Sequence, residues 1–352
     1  MPIATINGVK LNYVQLDDGG GPAREDLVMV HGLATNMAFW YFRYGLALAK
    51  RFRVTLYDLR GHGRSEMPAT GYSPAILAAD LGGLMDQLRI DKAHLMAHSF
   101  GGVVALNFAC ASPERVRSLV LADSHFSAGR EVQEREAWSF SQQVQPVLDR
   151  MGAGLSTSDP YFGPKLLTRV AEWQLHGREV PAELVDLVSP LLGRTGKRTS
   201  AAWLELMNTT SAEAEMLQDD GLALERLRKL DFPIIAMYGD HSPARLSGAE
   251  LLAIWPHAEF LRVRDAGHFF PTLRPQEVLS ACLRFWGGEF AAAPRRYRRG
   301  EARRSHFRSD RIFRADNGWH FTTRNENRVG PFSTREEAGM ALDRFISELD
   351  AA

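Results

Sequence analysis

The chain has 352 residues, 45% of them hydrophobic, enough for a large core in one big domain or two smaller ones. Its 42 basic and 42 acidic residues cancel, which removes any whole-chain bias toward nucleic acid or acidic surfaces. Two cysteines in apolar contexts, Cys110 and Cys282, exclude a disulfide framework; the N-terminus has no signal-peptide pattern and no apolar run reaches membrane-spanning length, so a soluble cytoplasmic protein is expected.

Short apolar runs alternate with longer helical patterns. LVMV (27–30), RVTLYD (53–58), AHLMA (93–97), RSLVLAD (117–123), PIIAMYGD (233–240) and AEFLRVRD (258–265) read as strands. They are rich in β-branched residues and leucine and alternate little, as strands do when both faces of their sheet are covered. Ser73-Pro74 has the form of an N-cap with proline at the first helical position, ahead of Ile76, Leu77, Leu81, Leu84 and Leu88 at helical spacing. A second helix runs from Ser99 to Ser112-Pro113, and RPQEVLSACLRFW (274–286) forms a last amphipathic one. This alternation predicts an α/β fold, a mainly parallel sheet with helices on both faces. The core is assigned to 1–125 and 231–290.

Residues 126–230 break the rhythm, with helical pieces such as EVQEREAWSFSQQVQPVLDRM, KLLTRVAEWQLHG and AELVDLVSPLLG and no convincing strand. A helical insertion there would lie above the carboxyl ends of the strands, where open α/β sheets bind ligands. Residues 291–314 form an arginine-rich linker, with nine arginines against Glu301 and Asp310 over 295–314. In the last part, 315–352, WHFTTR and RVGPF pair as a hairpin, Ser333 and Glu336 fit a capping box, and Ala338, Ala341, Leu342, Phe345, Ile346 and Leu349 line one helical face.

The stretch HLMAHSFGGVVAL (94–106) places Ser99 where a strand turns sharply into a helix. A serine hydroxyl is a weak nucleophile until a base takes its proton, and a tight turn lifts it out of the backbone. Such a turn needs small neighbours two residues away on each side, here Ala97 and Gly101; AHSFG departs from G-x-S-x-G by one methyl group. The base expected after the last strand is His268 in RDAGHFFP, and the acid after the preceding strand is Asp240 in AMYGDHS. Asp123, ending LVLAD, is the rival acid, with Asp240 favoured because Gly-Asp directly follows a strand. The N–H groups of Leu33, beyond His31-Gly32, and Phe100 are the expected oxyanion hole.

With VMVHGL, YDLRGHGRS, MAHSFGGVVAL, LVLAD, YGDHS and DAGHF in this order over residues 5–288, the chain resembles the α/β-hydrolase-fold serine hydrolases. The insertion at 126–230 is similar to that family's helical cap. The resemblance implies attack by Ser99 on an acyl carbon, an acyl-enzyme, and hydrolysis by water. His268 acts as base and then acid, and Asp240 holds the imidazole in its working tautomer. Some relatives take the acid from the earlier strand, the position of Asp123. The resemblance stops before 291–352, which is similar in pattern to small uncharacterised modules with a GPF strand end and a helix.

The other histidines read as scaffold. His31 braces the oxyanion loop, His98 lines the pocket floor or bonds locally, and His62 stabilises a loop with Asp58 and Arg60. Phe39, Trp40, Phe126, Trp138, Phe140, Trp173 and Trp203 together suggest an apolar cavity, with Phe39, Trp40, Phe126, Trp138 and His98 as expected substrate contacts. No metal-ligand spacing, phosphate loop or dinucleotide fingerprint occurs, so neither metal nor cofactor is expected. The expected substrate is a small or medium hydrophobic carboxylic ester or thioester. Carbon–carbon hydrolysis of a dienoate-type diketone, haloperoxidase-like perhydrolysis and acyl transfer use the same triad and stay open; a non-catalytic ligand sensor using the C-terminal module is the alternative of another class. For the arginine-rich stretch a solvated linker ranks first, an acidic protein partner second, and nucleic acid or anionic membrane last.

Overall fold

The computed structural model describes residues 2–17, 24–126 and 138–287, and parts of the chain between 312 and 341. It divides into two compact units, Met1–Ala292 and Ala293–Ala352. The arginine-rich stretch up to Arg311 lies outside the described residues.

The first unit is built on an eight-stranded sheet in the order β1-β2-β4-β3-β5-β6-β7-β8. Strands β1 (Ile3–Ile6), β2 (Val9–Leu16) and β4 (Arg53–Tyr57) pair antiparallel, while β3 (Asp26–Val30), β5 (Ala93–His98), β6 (Val116–Ala122), β7 (Ile234–Gly239) and β8 (Glu259–Val263) continue the sheet in parallel from β4. The β1–β2 hairpin is absent from the sequence expectation, though Asn7-Gly8 marks it. Both residues have positive φ, 48° and 79°, as a two-residue hairpin turn requires.

Helix α1 (Pro74–Gln87) starts as expected, with Ser73 as N-cap and proline at the first position. It packs with α2 (Phe100–Ala111) on one face of the sheet. The opposite face is covered by the helical segment 38–48 and by α7 (Pro275–Gly287), a core that includes Trp40, Tyr44, Met96 and Cys282. β3, β5 and β7 are buried at every position, so their unbroken apolar runs are explained by cover on both faces.

Between β6 and β7 the described chain is helical: α3 (Trp138–Arg150), α4 (Phe162–Leu175), α5 (Gly196–Thr209) and α6 (Ala212–Met216). The expected helix over 182–193 is instead three short turns, Ala182–Leu184, Val185–Val188 and Ser189–Leu191, the last with Pro190 inside it. This cap has its own core of Val147, Leu166, Val170, Trp173, Trp203 and Leu206, which also takes in Leu33, Ala34 and Tyr72 from the sheet unit. Glu215 fixes it further, accepting hydrogen bonds from the N–H groups of Gly71, Tyr72 and Ser73 ahead of α1. The cap therefore sits on the loop after β3 and the entry to α1. Among the described residues, no helix is long and apolar enough to cross a membrane.

The second unit is a three-stranded antiparallel sheet, β11-β10-β9, from Ile312–Ala315, Gly318–Thr322 and Arg328–Phe332. The expected hairpin is β10–β11, and β9 adds a third strand. The capping box is one residue later than expected. Glu337 N–H donates to Thr334 Oγ1 (3.1 Å), and Glu337 Oε2 accepts from the N–H groups of Ser333 and Thr334. Ala338 is buried, while the rest of the expected face from Leu342 onward lies outside the described residues.

Candidate active site

Ser99 joins β5 to α2 with φ 55° and ψ −128°, a conformation that costs a non-glycine residue roughly 1–3 kcal/mol. The surroundings enforce it. Ser99 N–H donates to Ala122 O, and Gly102 N–H donates to Ser99 O, both at 2.9 Å. A Cβ on Gly101 would lie 2.4 Å from His31 O, and one on Gly102 would lie 1.8 Å from Ser124 Oγ, so neither position admits a side chain. Ala97 is fully buried in the apolar core, in register with Val30 of β3 and Leu121 of β6, so the extra methyl is accommodated within the core. Gly32 brings the loop after β3 against the serine: a Cβ there would lie 2.9 Å from Ser99 Cβ.

The hydroxyl of Ser99 lies 2.9 Å from His268 Nε2. On the other side of the ring, Nδ1 lies 2.6 Å from Asp123 Oδ2, so Nδ1 carries the proton and Nε2 is free to accept from the hydroxyl. The preferred acid of the sequence reading, Asp240, is not the histidine's partner. Its Oδ1 accepts from Ala266 N–H at 3.2 Å, and its Oδ2 faces exposed Arg262 at 3.4 Å. Asp123 has a positive φ of 49° at the end of β6, which turns its side chain toward the histidine, and it is wholly buried. Its Oδ1 accepts from Gly239 N–H at 2.9 Å, and Oδ2 also accepts from the Ser242 hydroxyl.

Three buried histidines hold the loops around this line. His31 Nδ1–H donates to Gly32 O (2.8 Å), and its Nε2 accepts from Leu59 N–H (3.0 Å), tying the loop after β3 to the loop after β4. His62 Nδ1–H donates to Arg60 O, and its ring lies between those of His31 and Trp203 of the cap. Arg60 forms a bidentate ion pair with Asp80 of α1 at 2.7 Å, whereas Asp58 takes the N–H groups of Met37 and Arg64 and the Asn12 amide. Burial pushes all three histidine pKa values down, that of His62 to about 4, so they act as neutral braces.

The third, His98, is fully buried beneath the site and does not line a pocket floor. Its Nε2–H donates to the backbone carbonyl of His268 (2.9 Å), and its ring stacks on Phe39 at 4.7 Å. Trp40 and Phe126 were expected at the substrate, and both are core residues with no exposed surface. Trp40 packs under the opposite face of the sheet with its indole N–H on Val30 O, and Phe126 lies in the core beneath α1 and α2. Phe39 is half-buried beside His98 and Phe269, and the side chains of Trp138 and Phe140 lie outside the described residues. Leu33 follows Gly32 in the loop against Ser99, and Phe100 opens α2, so its N–H stands at the head of the helix. Asp186 of the cap reaches the same neighbourhood, with its Cβ 3.2 Å from where a Cβ on Gly267 would stand. Sequence reasoning missed Phe269, Ser242 and Asp186 because nothing local marks them.

An open cavity of about 200 Å³ in the cap, between α4 and α5, is lined by residues including Leu155, Thr168 and Met207, and none of its lining residues belongs to the triad. At the surface, Asp240, His241 and Asp265 bring ligand atoms within 4.8 Å of one another.

The alpha/beta hydrolase family matches residues 27–281, and the chain belongs to it. Residues 297–351 match a domain of unknown function (DUF6316). The chain is 29% identical over 311 residues to the soluble epoxide hydrolase of Corynebacterium sp. (strain C12), covering 80% of this chain and 96% of that one. It is 40% identical over 121 residues to the dihydrolipoyllysine-residue acetyltransferase component of the acetoin cleaving system of Pseudomonas putida, a match to only 32% of that protein's length and 34% of this chain. Among solved structures, that of Est816, described as an N-acyl homoserine lactone degrading enzyme, superimposes with a TM-score of 0.57 at 23% identity, over 80% of this chain and 98% of that one. The protein is thus an α/β-hydrolase-fold hydrolase of small molecules.

Proposed function

We propose that the protein is a serine hydrolase of small or medium hydrophobic carboxylic esters, lactones or thioesters, working through an acyl-enzyme on Ser99. The continuous line Ser99–His268–Asp123 carries this reading. His268 Nε2 takes the hydroxyl proton as Oγ attacks the acyl carbon. The imidazolium, held by Asp123, then gives that proton to the leaving oxygen or sulfur. Water repeats the sequence in reverse roles and frees the acid. The N–H groups of Leu33 and Phe100 would receive the oxyanion, each worth on the order of 3 kcal/mol of barrier. Leu33 and Phe100 pack in the apolar core of the cap, and Phe269 lies against the rings of Phe39 and His268, surroundings that favour an apolar acyl group.

The similarity to an epoxide hydrolase does not extend to its chemistry. Serine opening an epoxide would leave an alkyl ether, which has no acyl carbon for water to attack. An acyl ester on Ser99 has one. The free thiols of Cys110 and Cys282 suit the reducing cytoplasm proposed for this chain.

The test is a fluorophosphonate probe and a panel of p-nitrophenyl esters of rising chain length, with wild type beside Ser99→Ala. Wild type is expected to label and to turn over the shorter esters, with both lost in the variant. Labelling that persists in Ser99→Ala removes Ser99 as nucleophile. Labelling without turnover of any ester transfers the site to carbon–carbon cleavage, perhydrolysis or ligand sensing.

A further inference from the structure

We infer that Ser242 is a positioning residue of the relay: its hydroxyl shares Asp123 Oδ2 with His268, and so sets both the rotation of the carboxylate and the strength of its hold on the imidazole proton. The inference rests on the proposed roles of Ser99, His268 and Asp123.

Ser242 lies in the turn after β7, two residues past Asp240. It is 1% exposed, and Asp123 is fully buried, so no solvent can replace the hydroxyl. Its Oγ–H donates to Asp123 Oδ2, while its own oxygen accepts from Ala244 N–H at 3.2 Å. That second bond orients the hydroxyl proton toward the carboxylate. The turn is fixed in turn by Ser242 N–H on Gly239 O (3.2 Å) and Arg245 N–H on Ser242 O (3.3 Å). Gly239 N–H holds Asp123 Oδ1 (2.9 Å), so the turn after β7 grips both carboxylate oxygens. Among the described residues, the ionisable groups near this pair include His98 from β5, on the His268 carbonyl, Tyr238 from β7, Asp240 and His241 of the same turn, and Asp186 from the cap beside Gly267. None of these donates to Asp123 Oδ2 among the hydrogen bonds of the described residues.

Two donors on one oxygen divide its negative charge. The Ser242 bond therefore weakens the pull of Asp123 on the His268 Nδ1 proton. Removing the hydroxyl leaves the carboxylate with one donor fewer in a buried site, and its attraction for the imidazolium rises.

The experiment compares wild type, Ser242→Ala, Ser242→Thr and Ser242→Cys in the full chain by two readouts. One is the rate of fluorophosphonate labelling against pH. The other is the NMR resonance of the His268 Nδ1 proton, assigned with His268→Gln, which needs no activity. In Ser242→Ala the acid limb of labelling is expected to move to higher pH by about half a unit to one unit. The Nδ1 proton is expected to move downfield. Ser242→Thr, which keeps the donor, should return both toward wild type, and Ser242→Cys, with a weak donor of similar size, should fall between. If Ser242→Ala lowers the melting temperature but leaves both readouts unmoved, Ser242 is merely structural and the inference fails. If wild type does not label at Ser99, the hydrolase reading fails, while the proton resonance still decides the role of Ser242.

Discussion

The turns that end β6 and β7 stand side by side in the sheet, and each presents an aspartate at the carboxyl end of its strand. They differ in what reaches the carboxylate. Asp123 is fully buried and receives an imidazole N–H, a hydroxyl and a backbone N–H. Asp240, its side chain 10% exposed, accepts from one backbone N–H and otherwise faces two exposed side chains, Arg262 at 3.4 Å and His241 at 3.7 Å. A relay needs a carboxylate whose every partner is fixed and dry, because only there does it orient an imidazole without competition from water. The turn after β7 still serves the site: Gly239 and Ser242 hold Asp123, and Asp240 holds Ala266 of the loop that carries His268.

The largest test of this contrast is the pair of asparagine variants. Asp123→Asn is expected to lower ester turnover by about 10³–10⁴-fold, since an amide supports the wrong tautomer of the histidine. Asp240→Asn is expected to lower it less than about tenfold, because it touches the histidine only through Ala266. Turnover measured for both against one p-nitrophenyl ester decides; the reverse order returns the acid to β7.

Much of this was legible in the sequence, for reasons that can be named. The six runs expected as strands are strands to within two residues at each end, because two-sided burial leaves long apolar stretches bounded by turn residues. That Ser99 and His268 would meet was legible, because small residues at fixed offsets mark the turn at the serine and the loop after the last strand marks the histidine. The acid was not. Gly-Asp after a strand reports a turn, and which of two neighbouring turns faces the histidine depends on the φ of Asp123 and on contacts more than a hundred residues apart in the chain. Trp40 and Phe126 misled for a similar reason: an aromatic beside a catalytic loop carries no sign of the face it takes. The β1–β2 hairpin had its Asn-Gly signal, but its strands are half-exposed and lack the buried pattern of the others.

The second test strains the turn after β7 from beneath. A Cβ on Gly239 would lie 2.4 Å from Ala266 O and 2.8 Å from Gly267 O, both backbone atoms of the loop bearing His268. Gly239→Ala is expected to cost about 1–3 kcal/mol of stability and to lower kcat, since that loop must shift. Gly152→Val is no fair control because of its positive φ, but Gly163→Ala, with nothing within 4 Å of its Cβ and inside α4, should be neutral or slightly stabilising. Urea unfolding with ester kinetics reads both. An unchanged Gly239→Ala would mean that the turn is looser than its contacts imply.

A third, smaller effect is pH dependence from the buried histidine braces around the site. The folded-state pKa of His62 lies near 4, below its ordinary 6.5, and burial lowers those of His31 and His98 as well. Between those values the unfolded chain binds protons that the folded chain refuses. Stability is therefore full above about pH 6.5 and is lost as pH falls toward 4. Urea midpoints at pH 7.5, 6 and 5 are expected to decline in that order. His62→Asn, which stays neutral, should flatten part of the decline. A flat profile in wild type would show that these histidines are not held neutral.

The smallest expected effect comes from Arg262. Its guanidinium lies 3.4 Å from Asp240 and is 69% exposed, so the pair is screened by solvent and worth at most about 0.5 kcal/mol. Were Asp240 the acid of the relay, removing a cation at that distance would raise its negative potential at His268 and move the acid limb of the pH–rate profile to higher pH. With Asp123 in that role, the imidazole is shielded from Arg262 by the whole turn after β7, and Arg262→Ala should leave both the limb and kcat within error. A displaced acid limb in Arg262→Ala would couple the surface pair to the histidine and erase the distinction between the two turns, whatever the asparagine variants show.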